Sequence, residues 1–285
     1  MSVSPRPAYS YRPMTPADVP LAHALSVQLK WPHRLEEWAM LQRIAKGFVA
    51  EDAGRLIGTA FTCPQGDYAT IGLVIVSDEY QGQGIGRKLM ELALEACGSR
   101  TAILNATLAG APLYASQGFI DFGHIQQHQG HARAPAPNDL AAGERCRPLT
   151  EADRAVQIEL ANAGSGLDRE VVLNDLFDVV EHSVGIERDG QLRAFAMLRS
   201  FGRGRCIGPV IAENPEQAKH LIAVLLARVP DAFVRMDIPS DSGLAPWLEE
   251  TGLKHVDTVA QMARGTPPQA IGTVRQFALV TQAIG

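Results

Sequence analysis

The sequence predicts a mixed α/β (α+β) sheet with helices on both faces, laid down twice in tandem, and three observations carry this. The chain repeats itself. Arg12-Pro-Met-Thr-Pro-Ala-Asp18 returns as Arg147-Pro-Leu-Thr-Glu-Ala-Asp153, an offset of 135 residues. Glu51-Asp-Ala-Gly54-Arg-Leu56 returns as Glu187-Arg-Asp-Gly190-Gln-Leu192 and Ile71-Gly72 as Ile207-Gly208, both at 136. Ala111-Pro112 to Gly118-Phe119 returns as Ala245-Pro246 to Gly252-Leu253 at 134. A period this long is a domain rather than a solenoid unit. Second, β-branched apolar runs alternate with helical text inside each copy. Third, 285 residues is long for one domain and comfortable for two.

Within the first copy an opening strand at 11–12 leads to Thr15-x-x-Asp18, a capping-type helix start, and helical text continues to about Lys46. Residues 47–51 and 56–62 flank the Asp52-Ala-Gly54 turn and read as a hairpin. A third strand spans 69–76. Residues 86–96 form a helix with Leu89, Leu92, Leu94 and Ala96 in its apolar set, followed by a strand at 101–106. A short helix at 111–117 ends at Gly118, and 119–127 holds a last strand pair. The expected domains are 1–132 and 147–285, joined by a linker at 133–146 that overlaps the Ala- and Pro-rich text HARAPAPNDLAAGE at 131–144. Residues 274–281 form one more strand that either sheet could accept.

Charge and apolar content are those of an ordinary water-exposed protein. A net charge of −5 argues against nucleic acid or an anionic membrane surface as the main partner. Cys63, Cys97, Cys146 and Cys206 are scattered without a C-x-x-C pair, so they read as reduced thiols of a cytoplasmic protein, with no disulfide frame and no metal site. The N-terminal text MSVSPRPAYSYRP has no apolar core of a signal peptide, and no run of about 18 apolar residues predicts a membrane span.

The chemistry is concentrated in residues 71–94, IGLVIVSDEYQGQGIGRKLMELAL. An apolar strand meets a polar turn, a glycine-spaced loop and an amphipathic helix. Gly82, Gly84 and Gly86 let a ligand approach the backbone, and the first helical amides point outward from the positive helix end. A diphosphate fits such a place, and Arg87 and Lys88 add positive charge. The loop lacks the GK[ST] ending of the ATP-type loop and the G-x-G-x-x-G spacing of the dinucleotide fold.

The stretch Gln81-x-x-Gly84-x-Gly86 resembles the acetyl-CoA signature of the GNAT (Gcn5-related N-acetyltransferase) superfamily. The resemblance covers residues 8–130, and residues 145–265 resemble a decayed copy, which together imply two tandem GNAT-like acyl-CoA N-acyltransferase domains. It implies that Val74, Ile75 and Val76 lie on a splayed strand whose free backbone pairs with the pantetheine arm. It implies that Gln81, Gly82, Gln83, Gly84, Ile85, Gly86, Arg87 and Lys88 form the pyrophosphate loop. Leu113-Tyr114-Ala115-Ser116-Gln117-Gly118-Phe119 resembles the family's L-Y-x-x-x-G-F, which implies Tyr114 as the general acid that protonates the departing thiolate. Thr107 stands where many relatives carry asparagine. Asn105, two residues earlier, either contacts the cofactor or orients a loop.

The strand text at 69–76 contains no acid, so the base that many relatives carry there is missing. His33, in Trp31-Pro32-His33, and Asp67 are the candidate bases. Trp31 and His33 are the candidate acceptor-site residues, and a water chain is the alternative base. The second copy departs where chemistry would sit: Glu213-Asn-Pro-Glu-Gln-Ala218 lacks the loop glycines, and Leu248 replaces Tyr114. The resemblance therefore implies an acetyl-CoA-dependent N-acetyltransferase active in its N-terminal half on a small-molecule amine, as a monomer or homodimer. An acyl-CoA sensor without turnover and an enzyme for protein amino groups are the alternatives.

Overall fold

The computed structural model describes residues 9–285. Strand β1 (Ser10–Pro13) leads into α1 (Val19–Gln28) and α2 (Leu35–Ile44). The helical text before Lys46 is thus two helices. Lys30 adopts φ 60° at the break, and Pro32 follows it. Then come β2 (Lys46–Asp52), β3 (Arg55–Gln65), β4 (Tyr68–Val76), α3 (Ile85–Cys97), β5 (Thr101–Ala106), α4 (Ala111–Ala115) and β6 (Ile120–His131). The second half repeats the order with β7 (Glu144–Pro148), α5 (Arg154–Ser165), α6 (Glu170–Phe177), β8 (Val180–Arg188), β9 (Gln191–Phe201) and β10 (Gly204–Ala212). It continues through α7 (Pro215–Leu226), β11 (Phe233–Pro239), α8 (Ala245–Glu250), β12 (Lys254–Arg264) and β13 (Arg275–Ala278).

The repeated text has a physical purpose. Arg12 pairs with Asp18 at 2.7 Å and Glu51 at 2.5 Å, and Arg147 pairs with Asp153 at 2.8 Å and Glu187 at 2.7 Å. In both copies the aspartate also receives the backbone N–H of the threonine three residues earlier. One guanidinium thus joins the first strand, the helix entry and the end of the next strand. It holds Asp18 and Asp153 below the usual carboxylate range.

All strands form one mixed sheet in the order β1-β2-β3-β4-β5-β12-β6-β11-β10-β9-β8-β7, with β13 on β10. The two halves exchange their last strands. β12 pairs with β5 (Ala260 opposite Ala106), and β6 pairs with β11 (Val234 opposite Gly130). The strand pair expected in 119–127 is therefore a single strand of 12 residues, because the place of its partner beside β5 is filled from the other half.

Helix α3 buries Leu89, Met90 and Ala93 against Ile57, Ala60 and Ile71 of the first half, and α7 does the same for the second. A third cluster belongs to both halves: Trp38 and Leu41 of α2 share it with Leu173 and Leu176 of α6 and with Val280 and Ile284. The tail after β13 crosses into the first half. Arg169, 1% exposed, donates to the carbonyls of Ile284 (2.7 Å) and Gly285 (2.8 Å), and Gln65 donates to Ile284 at 3.0 Å. The four cysteines are free thiols. No helix among the described residues is long and apolar enough to cross a membrane.

Candidate functional site

Strands β4 and β5 pair in parallel only from Tyr68 opposite Thr101 to Ile71 opposite Leu104. Beyond that β4 bends away. Leu73 takes φ 48°, its carbonyl accepts the Thr59 hydroxyl at 2.8 Å, and the register with β3 shifts between Thr59 and Phe61. The parting leaves the β5-facing edge of Val74, Ile75 and Val76 along a cavity of about 770 Å³.

The N-terminus of α3 forms one end of this cavity, with Gln81, Gly82, Gly84, Ile85, Gly86 and Arg87 along it. Gly84 is the N-cap at φ 85°, and no side chain caps the helix. The first helical bond runs from the Lys88 N–H to the Gly84 carbonyl at 3.1 Å, so the preceding amides face outward. A Cβ on Gly82 (φ 75°) or Gly84 would meet no protein atom within 4 Å. These glycines keep space and left-handed backbone for something outside the protein. Gly86 differs: it has ordinary helical backbone, and a Cβ there would touch Leu113 and Val76 at 3.6 Å. Arg87 reaches Ser116 at 3.3 Å. Gln81 donates to Asp78 at 2.8 Å. Lys88 pairs with Glu91 at 3.1 Å and Gln83 accepts from the Tyr9 hydroxyl, both off the cavity wall.

Tyr114 lines the middle of the cavity from α4. It is 9% exposed, it packs edge-on to Phe119 at 6.2 Å, and its hydroxyl has no partner among the described residues. Burial pushes its phenol up to about 12. A free thiol titrates near 8.5, so this phenol stays neutral beside a thiolate and serves it best as a hydrogen-bond donor. Asn105 donates to the Gln282 carbonyl at 2.8 Å, while its Oδ1 is buried without a partner at the cavity wall.

The far end holds Trp31 and His33, whose rings lie 6.0 Å apart. Desolvation, then the charges of Arg235, Arg199 and His23, pull the His33 imidazole down to about 3. A ring that resists protonation this strongly is a poor base for an ammonium, and it lines the cavity beside Trp31. Asp67 is corrected outright. It sits exposed in the turn between β3 and β4, at the end of β4 away from Val76, where its carbonyl accepts the Thr101 N–H.

Sequence reasoning missed the part of this end that comes from the second half. Phe201, Arg235, Asp257 and the tail residues Thr281, Gln282 and Ala283 line it. The exchange of β6 and β12 brings them there, and no local pattern announces a strand exchange.

Acetyltransferase (GNAT) domain models match residues 158–278 and 44–121. The chain is 31% identical over 229 residues to the uncharacterized N-acetyltransferase YitH of Bacillus subtilis (strain 168), covering 77% of this chain and 78% of that one.

The chain belongs to the GNAT family of N-acetyltransferases.

Its fold is that of tandem GNAT proteins. It superposes on a Pyrococcus horikoshii protein assigned as an acetyltransferase with a TM-score of 0.79 at 18% identity, over 97% of this chain and 96% of that one. It superposes on a tandem GNAT protein from the clavulanic acid biosynthesis pathway with a TM-score of 0.65 at 14% identity, over 91% and 99%. Within this GNAT chain the two halves are unequal. The second half has the same parting between β10 and β11, which pair only at Arg205–Val234 and Cys206–Arg235. There β13 fills the gap: Ala278 lies opposite Val210, Arg275 lies opposite Ala212, and the Leu279 N–H bonds the Asp237 carbonyl at 2.8 Å. The N-terminus of α7 is capped by the Asn214 side chain at 3.0 Å, beside Glu213. Leu248 is fully buried where Tyr114 stands in the first half.

Proposed function

We propose that this GNAT chain moves an acetyl group from acetyl-CoA to a primary amine of a small molecule, in the first half. The observation that carries this reading is the contrast between the two partings of the sheet. The one beside β4 is open, ends at uncapped helix amides and passes an unpartnered phenol. The one beside β10 is closed by the chain's own β13. In this reading the α3 amides with Gly82 and Gly84 hold the diphosphate. The free edge of Val74 to Val76 holds the amide-rich pantetheine as an added strand. A β4 N–H stabilises the oxyanion that forms as the neutral amine attacks the thioester carbon; water in the cavity takes the nitrogen's proton, and the C–S bond breaks with the Tyr114 hydroxyl donating a hydrogen bond to the departing thiolate. The second half lines the acceptor end with Phe201, Arg235 and its tail, which favours a small amine over a protein one.

Two readouts test it. Acetyl-CoA at 100 times its dissociation constant should stabilise the protein by about 2.7 kcal/mol; no stabilisation by acetyl-CoA or CoA ends the reading. A panel of amines should then release free thiol from acetyl-CoA. The absence of a carboxylate on β4 and the low basicity of His33 favour a second reading, an acyl-CoA sensor. Tight CoA binding with no acceptor-dependent thiol release would select it.

A further inference from the structure

We propose that Arg235 chooses the acceptor: the molecule that brings the amine also carries a carboxylate or phosphate, and this guanidinium holds it. The inference deepens the acetyl-transfer reading and rests on it for the identity of the site. Arg235 stands on β11, 8% exposed, on the wall of the same cavity as Trp31 and His33. Its Nε and Nη2 donate to Asp237 at 3.0–3.2 Å, and its Nη1 has no partner among the described residues. Asp237, 1% exposed, also accepts Gln282 Nε2 at 3.0 Å, which fixes the carboxylate and with it the plane of the guanidinium. One edge of a rigid fork is therefore used by the protein, and a donor remains for something else.

The surrounding charge points the same way. Phe201 lies under two guanidinium groups, Arg235 at 5.5 Å and Arg199 at 4.9 Å from the ring centre, and meets the His33 ring at 5.9 Å. Arg199 is 3% exposed, donates to the Val280 carbonyl at 2.9 Å, and has no carboxylate within ion-pair distance among the described residues. Both guanidinium charges reach His33 and oppose its protonation. Asp237 pairs with Arg235 and not with Arg199. Glu37, its pKa raised by burial, accepts the Arg34 N–H. Asp257 lies exposed on the lining and accepts the Thr258 amide. An anionic oxygen pair between the aromatic walls would satisfy Nη1 and give Arg199 a counter-charge. A plain alkylamine would do neither.

The test uses matched acceptors with acetyl-CoA and the full chain: β-alanine against ethylamine, and phosphoethanolamine against ethanolamine. Thiol release is one readout. The melting temperature of the CoA-saturated protein with each compound is the other. The anionic member of at least one pair should lead in kcat/KM by about tenfold or more. Arg235→Gln should erase that ratio through KM, while the melting-temperature rise with acetyl-CoA persists. Arg235→Lys keeps a charge against Asp237 and should shrink the ratio without erasing it, so a folding failure of the glutamine variant leaves the test standing. Equal or better use of the neutral members, or a ratio unchanged in both variants, overturns the proposal. If no amine is acetylated, the acetyl-transfer reading fails and the binding arm decides alone. An anion-dependent rise in melting temperature lost on changing Arg235 upholds the site, and no such rise removes it. A preference for succinyl-CoA over acetyl-CoA that vanishes in Arg235→Gln assigns the guanidinium to the acyl chain and overturns the acceptor role.

Discussion

Ala283 lies against Gly72 as Leu279 lies against Gly208. A Cβ on Gly72 would stand 2.6 Å from the Ala283 carbonyl oxygen, and one on Gly208 would stand 2.0 Å from that of Leu279. The Ile-Gly pair that recurs 136 residues apart therefore marks the two places where one tail crosses the bent strands of one sheet. In the second half the tail has become a strand of the sheet. In the first it stops at the foot of the parting and leaves the rest open.

Gly72→Ala should therefore cost stability, because backbone cannot give way as a flexible side chain can. The expected loss is about 1–3 kcal/mol, read as a lower urea midpoint with an unchanged slope. Because Gln282 and Ala283 form part of the acceptor wall, amine KM should rise with it. A wild-type midpoint would show that the tail does not rest on β4 in solution.

Gly84 and Gly86 separate two effects that a glycine-rich loop confounds. Alanine at 84 must take φ near 85° in a place with no protein neighbour, so the fold should survive a strain of about 1–2 kcal/mol. Its methyl would occupy the space proposed for the diphosphate, and acetyl-CoA should bind at least about tenfold more weakly, roughly 1.4 kcal/mol. Alanine at 86 has ordinary contacts at 3.6 Å and should change affinity by less than about threefold. Equal losses at both positions, in isothermal titration with acetyl-CoA, would sink the phosphate-cradle reading.

Tyr114→Phe removes a hydroxyl that no described residue uses, so the melting temperature should stay within about 2 °C, as for a change well under 1 kcal/mol. In the proposed reaction kcat should fall by about 10²-fold or less, with the KM for acetyl-CoA nearly constant. Because the phenol is held at about 12, the variant should not delete a limb of the pH–rate profile below that value. Affinity lost in parallel with turnover would make Tyr114 a packing residue.

Most of the first half was legible because its signals are local. The Thr15–Asp18 cap, the Asp52-Ala-Gly54 turn and the glycine spacing before α3 each act within a few residues of chain. The Arg12 and Arg147 triads were visible only as repeated text, since their partners Glu51 and Glu187 lie about 40 positions away. The exchange of β6 and β12 was not legible at all: 119–127 reads as a strand pair within its own half, and which neighbour a strand chooses is a property of the whole sheet. Arg235 and Phe201 stayed hidden for that reason. Asp67 was a misreading of proximity in sequence for proximity in space. It is close to β4 along the chain and at the wrong end of the strand.

His33 makes the acceptor end sensitive to acid in a direction that can be worked out. Its folded value, about 3, lies below the ordinary unfolded value near 6.5. Between those limits the unfolded chain takes up a proton that the folded chain refuses. Stability should therefore fall as pH drops from about 6.5 toward 3, by at most about 1.4 kcal/mol per pH unit from this group. The ring lines a cavity wide enough for water, so the real slope should lie below that limit. Above about pH 6.5 the contribution is flat. His33→Gln retains a polar side chain without a titration in this range and should remove this part of the slope. Urea midpoints of the two proteins near pH 7.5 and near pH 4.5 measure it: the wild type should lose more stability on acidification than the variant. Parallel losses would place His33 in contact with bulk water and return it to the list of possible bases.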